Sequence, residues 1–224
     1  MRWTYRGFMS IIGFFIGTKF EEKRWASKSL SYASGSSTLN HPHRIFLVAK
    51  ISKFRKIKNL LEVGCGDGPN LYLLSEKFPE ADLSGVDINK WSVKNGNEWL
   101  KQESKLNVKL SVGKADGLES FLDDSFDIVF TDAVLMYIGP DKIRKVVNDM
   151  VRIARRRIYF VEWHSFDSQN SLGVYERHWR RNYEVLLKEL IPGNNVNVSK
   201  LPEGGGFKDE MWTKWGALIE AKLD

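Results

Sequence analysis

The sequence predicts an α/β fold with a doubly wound, mostly parallel sheet, and three observations carry that prediction. Leu60 to Val63 is apolar apart from Glu62 and halts at the alternating glycines Gly64, Gly66 and Gly68. It reads as a buried strand ending in a turn where glycine, free to take φ > 0 and lacking a Cβ, lets backbone amides approach a ligand. Pro69 then occupies a first helical position, where its missing N–H costs nothing. Short strand-like runs and helix-period segments follow one another as far as residue 163, as parallel strands joined by crossover helices do.

A chain of 224 residues suits one well-cored domain. Residues 1–58 are expected to form a basic N-terminal helical arm or lid, and residues 59–224 the domain proper. The arm carries 12 Lys and Arg against 2 Asp and Glu, while the remainder carries 22 against 26. That imbalance points to an anionic partner for the arm, or to a solvated terminus. The single cysteine, Cys65, lies in the glycine turn. No disulfide framework can form, and a reduced, cytoplasmic setting is expected.

Phe8 to Ile16 is apolar apart from Ser10 and Gly13 and follows Arg2 and Arg6. It lacks a small-residue cleavage site and falls short of the roughly 20 residues of a membrane span. An interfacial or docking helix is expected, with Trp3, Tyr5, Phe8, Phe14 and Phe15 suited either to peripheral membrane contact through residues 1–20 or to packing on protein. Ser27 to Asn40 reads as a flexible loop or lid. His41, Pro42, His43 and Arg44 follow it, placing two histidines where they can close over a substrate, before a helix over Ile45 to Phe54.

Beyond the glycines, Leu71, Leu74 and Phe78 recur at helical spacing, predicting a helix over Pro69 to Lys77. Leu83 to Val86 is a second strand ending at Asp87, 19 positions past Gly68. A carboxylate at that tip can accept hydrogen bonds from ribose hydroxyls. The dinucleotide fingerprint needs a third glycine at position 69, where Pro69 stands instead. With Glu62 two residues before Gly64, the turn resembles the first motif, E/D-x-G-x-G-x-G, of the class I S-adenosylmethionine-dependent methyltransferases.

The resemblance covers roughly residues 59 to 163. Val108 to Val112 reads as strand three, followed by Ala115 and Asp116. Ser125 to Asp132 looks like the family's fourth-strand motif. Gly139 and Pro140 start a helix with Ile143, Val146, Val147, Met150 and Ala154 on its apolar face, and its basic tail, Arg152 to Arg157, complements the helix dipole. Ile158 to Val161 is strand five, ending in Glu162, Trp163 and His164. Tyr175, His178, Trp179, Tyr183, Leu186, Leu187 and Leu190 trace one face of a further helix. Val196 to Ser199 and Trp215 to Ala221 supply two last strands around the Gly204 to Gly206 loop, completing a Rossmann-like sheet of seven.

The resemblance implies S-adenosylmethionine as cofactor, held by Glu62, Gly64, Cys65, Gly66, Gly68, Asp87, Ile88, Asp116 and Thr131, with Asp87 on the ribose and Asp116 on the adenine. A base near neutral pKa would serve an alcohol or amine acceptor. His164 is the first expectation, with Glu162, Asp132, His41 and His43 in reserve. His41, His43, Arg44, Met136 and Trp163 are expected to meet the acceptor, and no metal site is expected. No N/D-P-P-Y/F motif follows strand four, which argues against amino methylation of DNA bases. Cys65 in the cofactor turn removes a covalent route to pyrimidine C5. The expected reaction is O- or N-methylation of a small-molecule or glycan-type acceptor; the alternative is an RNA-directed methyltransferase or RNA-binding module using the basic arm.

Overall fold

The structure, a computed structural model, describes residues 17–28, 38–167, 172–175, 177–191, 193, 195–202 and 210–223. The apolar run to Ile16, most of the Ser27 to Asn40 loop and Gly204 to Gly206 lie outside the described residues.

Five strands run parallel: β1 (Asn59–Val63), β2 (Asp82–Asp87), β3 (Val108–Val112), β4 (Phe126–Asp132) and β5 (Ala154–Trp163). β6 (Leu172–Tyr175) and β7 (His178–Arg181) form a separate antiparallel hairpin, while β9 (Gly216–Lys222) extends the main sheet antiparallel to β5 and β8 (Val196–Lys200) pairs antiparallel with β9 at the edge. The order is β3-β2-β1-β4-β5-β9-β8. Strand order reverses between β1 and β4, and in open α/β sheets the crevice at that switch point is where ligands bind.

The helices are α1 (Thr18–Ala26), α2 (Pro42–Ile51), α3 (Pro69–Lys77), α4 (Lys90–Gln102), α5 (Ile143–Ile153), α6 (Tyr183–Lys188) and α7 (Glu210–Trp215). Because β1 is buried on both faces, its side chains alternate between two cores. Leu61 and Val63 join Val129, Ile158 and Phe160 under α5 and α6. Leu60 joins Leu83, Ile128, Tyr159 and Val161 under α2, α3 and α4. Leu47, Val48 and Ile51 of α2 are among the most buried residues, so this part of the N-terminal 58 residues is built into the core of the domain.

Two expected elements differ. The helix read from Tyr175 to Leu190 is the β6–β7 hairpin followed by the short α6. Along β7 Trp179 and Arg181 are buried while His178 and Arg180 are half-buried, a period of two that aromatic residues favour. The helix begins only after Asn182, whose side chain caps it by accepting from Val185 N–H at 3.1 Å. The basic tail expected on α5 instead opens β5. Arg155 pairs with Asp127, and the guanidinium groups of Arg156 and Arg157 lie over the Phe54 ring. The helix α4, with Asn89 as its cap, has no counterpart among the expected elements.

Candidate active site

A cavity of about 410 Å³ opens at the switch point, between the carboxyl ends of β1, β2 and β4 and the helices α1 and α2. Its cofactor half is largely backbone. Gly64 has φ +79°, and a Cβ there would collide with the side chain of Val134; Gly66 has φ +57°, and a Cβ there would meet nothing within 4 Å. The first glycine is therefore closed by packing, and the second faces open cavity. Asp87 accepts from Gly66 N–H at 2.8 Å and from Asn89 N–H at 2.7 Å. Burial raises its pKa against those two donors.

Glu62 is 2 % exposed. Its Oε1 accepts from Asn70 Nδ2 at 2.6 Å, and its buried Oε2 has no hydrogen-bond partner among the described residues; the residue lines the cavity. Asn70 Nδ2 also lies 3.4 Å from Asp132 Oδ2, and its Oδ1 accepts from Arg44 Nε at 2.9 Å. Desolvation holds the Glu62 carboxyl well above its ordinary pKa, and the hydrogen bond from Asn70 opposes it. Cys65, 3 % exposed, also lines the cavity. Its thiol is pushed well up by burial first and then by the charges of Glu62 and Asp87.

At the far end of this half, Asp116 pairs with Lys142 at 2.7 Å. Burial works to raise the Asp116 pKa, but the Lys142 hydrogen bond and charge bring it below the usual carboxylate value. Lys142 also pairs with Glu22 of α1, which reaches Lys114 at 2.9 Å. Thr18, the first residue of α1, anchors that end by donating its hydroxyl to Asp141 at 2.7 Å and accepting from Gly139 N–H at 2.7 Å. Asn89 Nδ2 donates to the carbonyls of Trp25 and Lys28 at 2.9 and 3.0 Å. The helix α1 is thus tied across the cavity by polar contacts from three directions.

The acceptor half is built of side chains from distant segments. His43, on α2, places Nδ1 3.2 Å from Asp132 Oδ1 at the tip of β4. Its ring lies edge-on to His41, with centroids 4.7 Å apart, and to Trp212 of α7 at 3.9 Å. Burial, then the neighbouring His43, lowers the His41 pKa. Met136 and Tyr137 wall the cavity from a 3₁₀ turn, Leu135–Tyr137. That turn follows Ala133, held at φ 59°, a left-handed conformation costly for a residue with a Cβ.

What fixes the turn is a pair of buried opposite charges. Glu162, 0 % exposed, accepts from the N–H groups of Val134, Leu135 and Met136 at 2.8, 2.8 and 3.1 Å and from Thr131 Oγ1 at 3.0 Å. Arg181, from β7, donates to the carbonyls of Leu135 at 2.8 Å and Ile138 at 2.6 Å. A carboxylate thus meets the amino end of the turn and a guanidinium its carboxyl end, the arrangement that a helical dipole favours.

The sequence-derived residues therefore divide. Glu62, Gly64, Cys65, Gly66, Asp87, Ile88, Asp116, Asp132, His41, His43, Arg44 and Met136 all line the one cavity. Gly68 lies behind it, φ +86°, against Leu110 and Leu100. Thr131 is fully buried and spends its hydroxyl on Glu162. His164 does not face the cleft as expected: it is 2 % exposed, its Nδ1 accepts from Tyr183 N–H at 3.3 Å, and burial drops its pKa to about 4. Glu162 is likewise taken up by the turn, and Trp163 is packed behind Trp212 with ring centroids 6.1 Å apart. Among cavity residues that sequence reasoning missed, Asn70 sits one residue past Pro69 in the motif turn. Trp212, Trp25 and Lys142 carry no motif signal, because only the fold brings them there.

A methyltransferase-domain family matches residues 60–157. The chain is 35% identical over 112 residues to the chloroplastic tocopherol O-methyltransferase of Arabidopsis thaliana, covering 49% of this chain and 31% of that protein. It is 27% identical over 180 residues to the carboxy-S-adenosyl-L-methionine synthase of Campylobacter curvus, covering 72% of this chain and 74% of that one. The chain spans from about a third to a half of the length of the plant tocopherol methyltransferases it matches. Among solved structures, a SAM-dependent methyltransferase from Aquifex aeolicus superimposes with a TM-score of 0.57 at 17% identity, covering 86% of this chain and 100% of the other.

The residues present fit S-adenosylmethionine, the cofactor of such domains. The cavity offers a cradle at Gly66 that a Cβ would fill, a buried carboxylate oxygen without a partner at Glu62, and carboxylates at the tips of β2 and beyond β3. The matched methyltransferase domain spans residues 60–157, and the motif turn, the sheet order and the likeness to solved methyltransferases give the chain the fold of the class I S-adenosylmethionine-dependent methyltransferases.

Proposed function

We propose that this chain transfers the methyl group of S-adenosylmethionine to an oxygen or nitrogen atom of a small-molecule acceptor. The observation that carries the reading is the single cavity that joins the glycine cradle and the unpartnered Glu62 Oε2 to a wall of His43, Met136, Tyr137 and Trp212. Glu62 would receive the α-amino group of the cofactor, Asp87 the ribose hydroxyls and Asp116 the adenine amino group, each a donor meeting a carboxylate. When bound, the cofactor supplies an activated methyl group on a sulfonium. The protein's task is then to hold the acceptor in line and to keep water out.

A small acceptor is favoured over an RNA strand by the charge pairing at the cavity rim. Lys114 and Lys142, at its rim, are engaged with acidic side chains and do not form a basic track. The names of its relatives agree with small acceptors, tocopherol among them. Peripheral contact of residues 1–20 with a membrane stays part of the proposal; no helix among the described residues is long and apolar enough to cross one.

Titrating S-adenosylhomocysteine into the purified chain tests the site. Asp87→Ala is expected to weaken binding by about thirtyfold, the equivalent of one to two charge-assisted hydrogen bonds. Affinity unchanged by that substitution would show that the ribose lies elsewhere.

A further inference from the structure

We infer that His43, oriented by Asp132, is the general base of the transfer, and that the acceptor it serves is a hydroxyl carried on an aromatic ring. The inference rests on the methyltransferase reading and deepens it.

The chain has four histidines, and the geometry separates them. His164 and His178 are not in the cavity wall, whereas His41 and His43 are. Of these two, His43 has its Nδ1 against a carboxylate, 3.2 Å from Asp132 Oδ1, with both side chains under 10 % exposed. An ionised carboxylate can only accept, so Nδ1 carries the ring proton and Nε2 carries the basic lone pair. Asp132 is itself fixed, since its second oxygen meets Asn70. This is the logic of an oriented histidine base: the carboxylate sets the tautomer and stabilises the imidazolium that forms. The charged and titratable groups facing this pair are His41, just before the helix and edge-on to the His43 ring, Arg44 on the helix, bonded to Asn70, and Glu62 on β1, linked to Asp132 through Asn70.

The acceptor class follows from two features of the same wall. Trp212 stands against the His43 ring, and Met136, Tyr137 and Trp25 line the same cavity, with Trp25 and Tyr137 edge to face at 4.8 Å. Aromatic walls of this kind suit a planar ring. Proton affinity points the same way. A phenolic hydroxyl, ordinarily losing its proton at about pH 10, is far more acidic than an alkyl alcohol and so lies within the reach of a histidine general base. In the step, the acceptor oxygen bonds to the methyl carbon, the carbon–sulfur bond breaks with its electron pair kept by sulfur, and the hydroxyl proton passes to His43 Nε2. Water then takes the proton from the imidazolium.

The test needs no natural acceptor. The full chain is saturated with S-adenosylhomocysteine and titrated with 4-nitrophenol, whose absorbance reports whether its hydroxyl has lost its proton. The bound probe is expected to ionise about one pH unit below the free probe, a tenfold shift. His43→Gln should abolish that shift while leaving S-adenosylhomocysteine affinity within about threefold, and Asp132→Asn should reduce it. Trp212→Ala should weaken probe binding about tenfold without changing the ionisation of what is bound. An unchanged shift in His43→Gln overturns the base, and a probe that does not bind the loaded protein, or binds Trp212→Ala equally well, overturns the aromatic class. Failure of S-adenosylhomocysteine to bind the unmodified chain would instead overturn the methyltransferase reading beneath both.

Discussion

The two halves of the cavity are made in different ways. The cofactor half comes from loops leaving three adjacent parallel strands, and much of what it presents is main chain: Gly64 and Gly66 with their left-handed φ, and the amides that grip Asp87. The acceptor half is assembled from α1, α2, the tip of β4, the 3₁₀ turn and α7, and side chains do the work. Its shape is imposed from outside, by Glu162 behind the turn and Arg181 from the hairpin. A site made of main chain is set by a few neighbouring residues, whereas a site made of remote side chains inherits its geometry from whatever holds those segments.

Substitutions should break the two halves differently. The largest effect is expected at Gly64, where the halves touch, because a Cβ there adds left-handed strain to a collision with Val134. Gly64→Ala should cost about 3 kcal/mol or more in urea unfolding and abolish cofactor binding, since neither strain nor overpacking can relax. Arg181→Met comes next. It leaves two buried carbonyls without their donor and should cost about 2 kcal/mol, with faster amide exchange at residues 134–138 and S-adenosylhomocysteine affinity nearly unchanged. A large loss of cofactor affinity in that variant would show that the two halves are not separable. Gly66→Ala should do the reverse: about 1 kcal/mol in stability, but at least about tenfold in cofactor affinity, because its Cβ points into open cavity.

The smallest effects are expected in pH dependence, and they would sharpen the contrast at the tip of β5. Burial lifts Glu162 to about 7, against the N–H groups and hydroxyl that it accepts from. The folded chain therefore keeps a proton that the unfolded chain has released, and this group makes stability fall as pH rises from about 4.5 to about 7. Burial drops His164 to about 4, with Glu184 opposing. The folded chain there lacks a proton that the unfolded chain binds, so stability falls as pH drops from about 6.5 to about 4. Between about pH 4.5 and 6.5 the two slopes oppose. Urea midpoints across that range should be nearly level in the unmodified chain, steeper with pH in Glu162→Gln, and inverted in sign in His164→Asn.

The same contrast explains what was legible in the sequence. Residues 62 to 70 and Asp87 could be read because a turn demanding positive φ at alternating positions leaves glycines at fixed spacing, and a strand tip leaves its carboxylate next to it. The mostly parallel sheet of seven strands followed from the same signals, as did α3, read at its observed bounds, Pro69–Lys77. The hairpin was misread because Tyr175, His178, Trp179 and Tyr183 fall at spacings that suit a helix as well as two strands joined by a turn. His164 was misassigned because position at a strand tip does not say which way a side chain turns. His43 and Asp132 lie 89 residues apart, and no spacing rule relates them; only the packing of α2 on β1 and β4 brings them together.

Cys65 has a last consequence. A protein that holds an alkylating agent against its only cysteine exposes itself to self-inflicted damage, since a thiolate is a better nucleophile than most acceptors. Here the sulfur is shut in beneath the glycine turn, against Gly85, where even a methyl group added to that glycine would strike it. Burial first, and then the charges of Glu62 and Asp87, keep its proton on. The crowding that narrows the turn thus also leaves the chain's own sulfur too poor a nucleophile to compete with the acceptor.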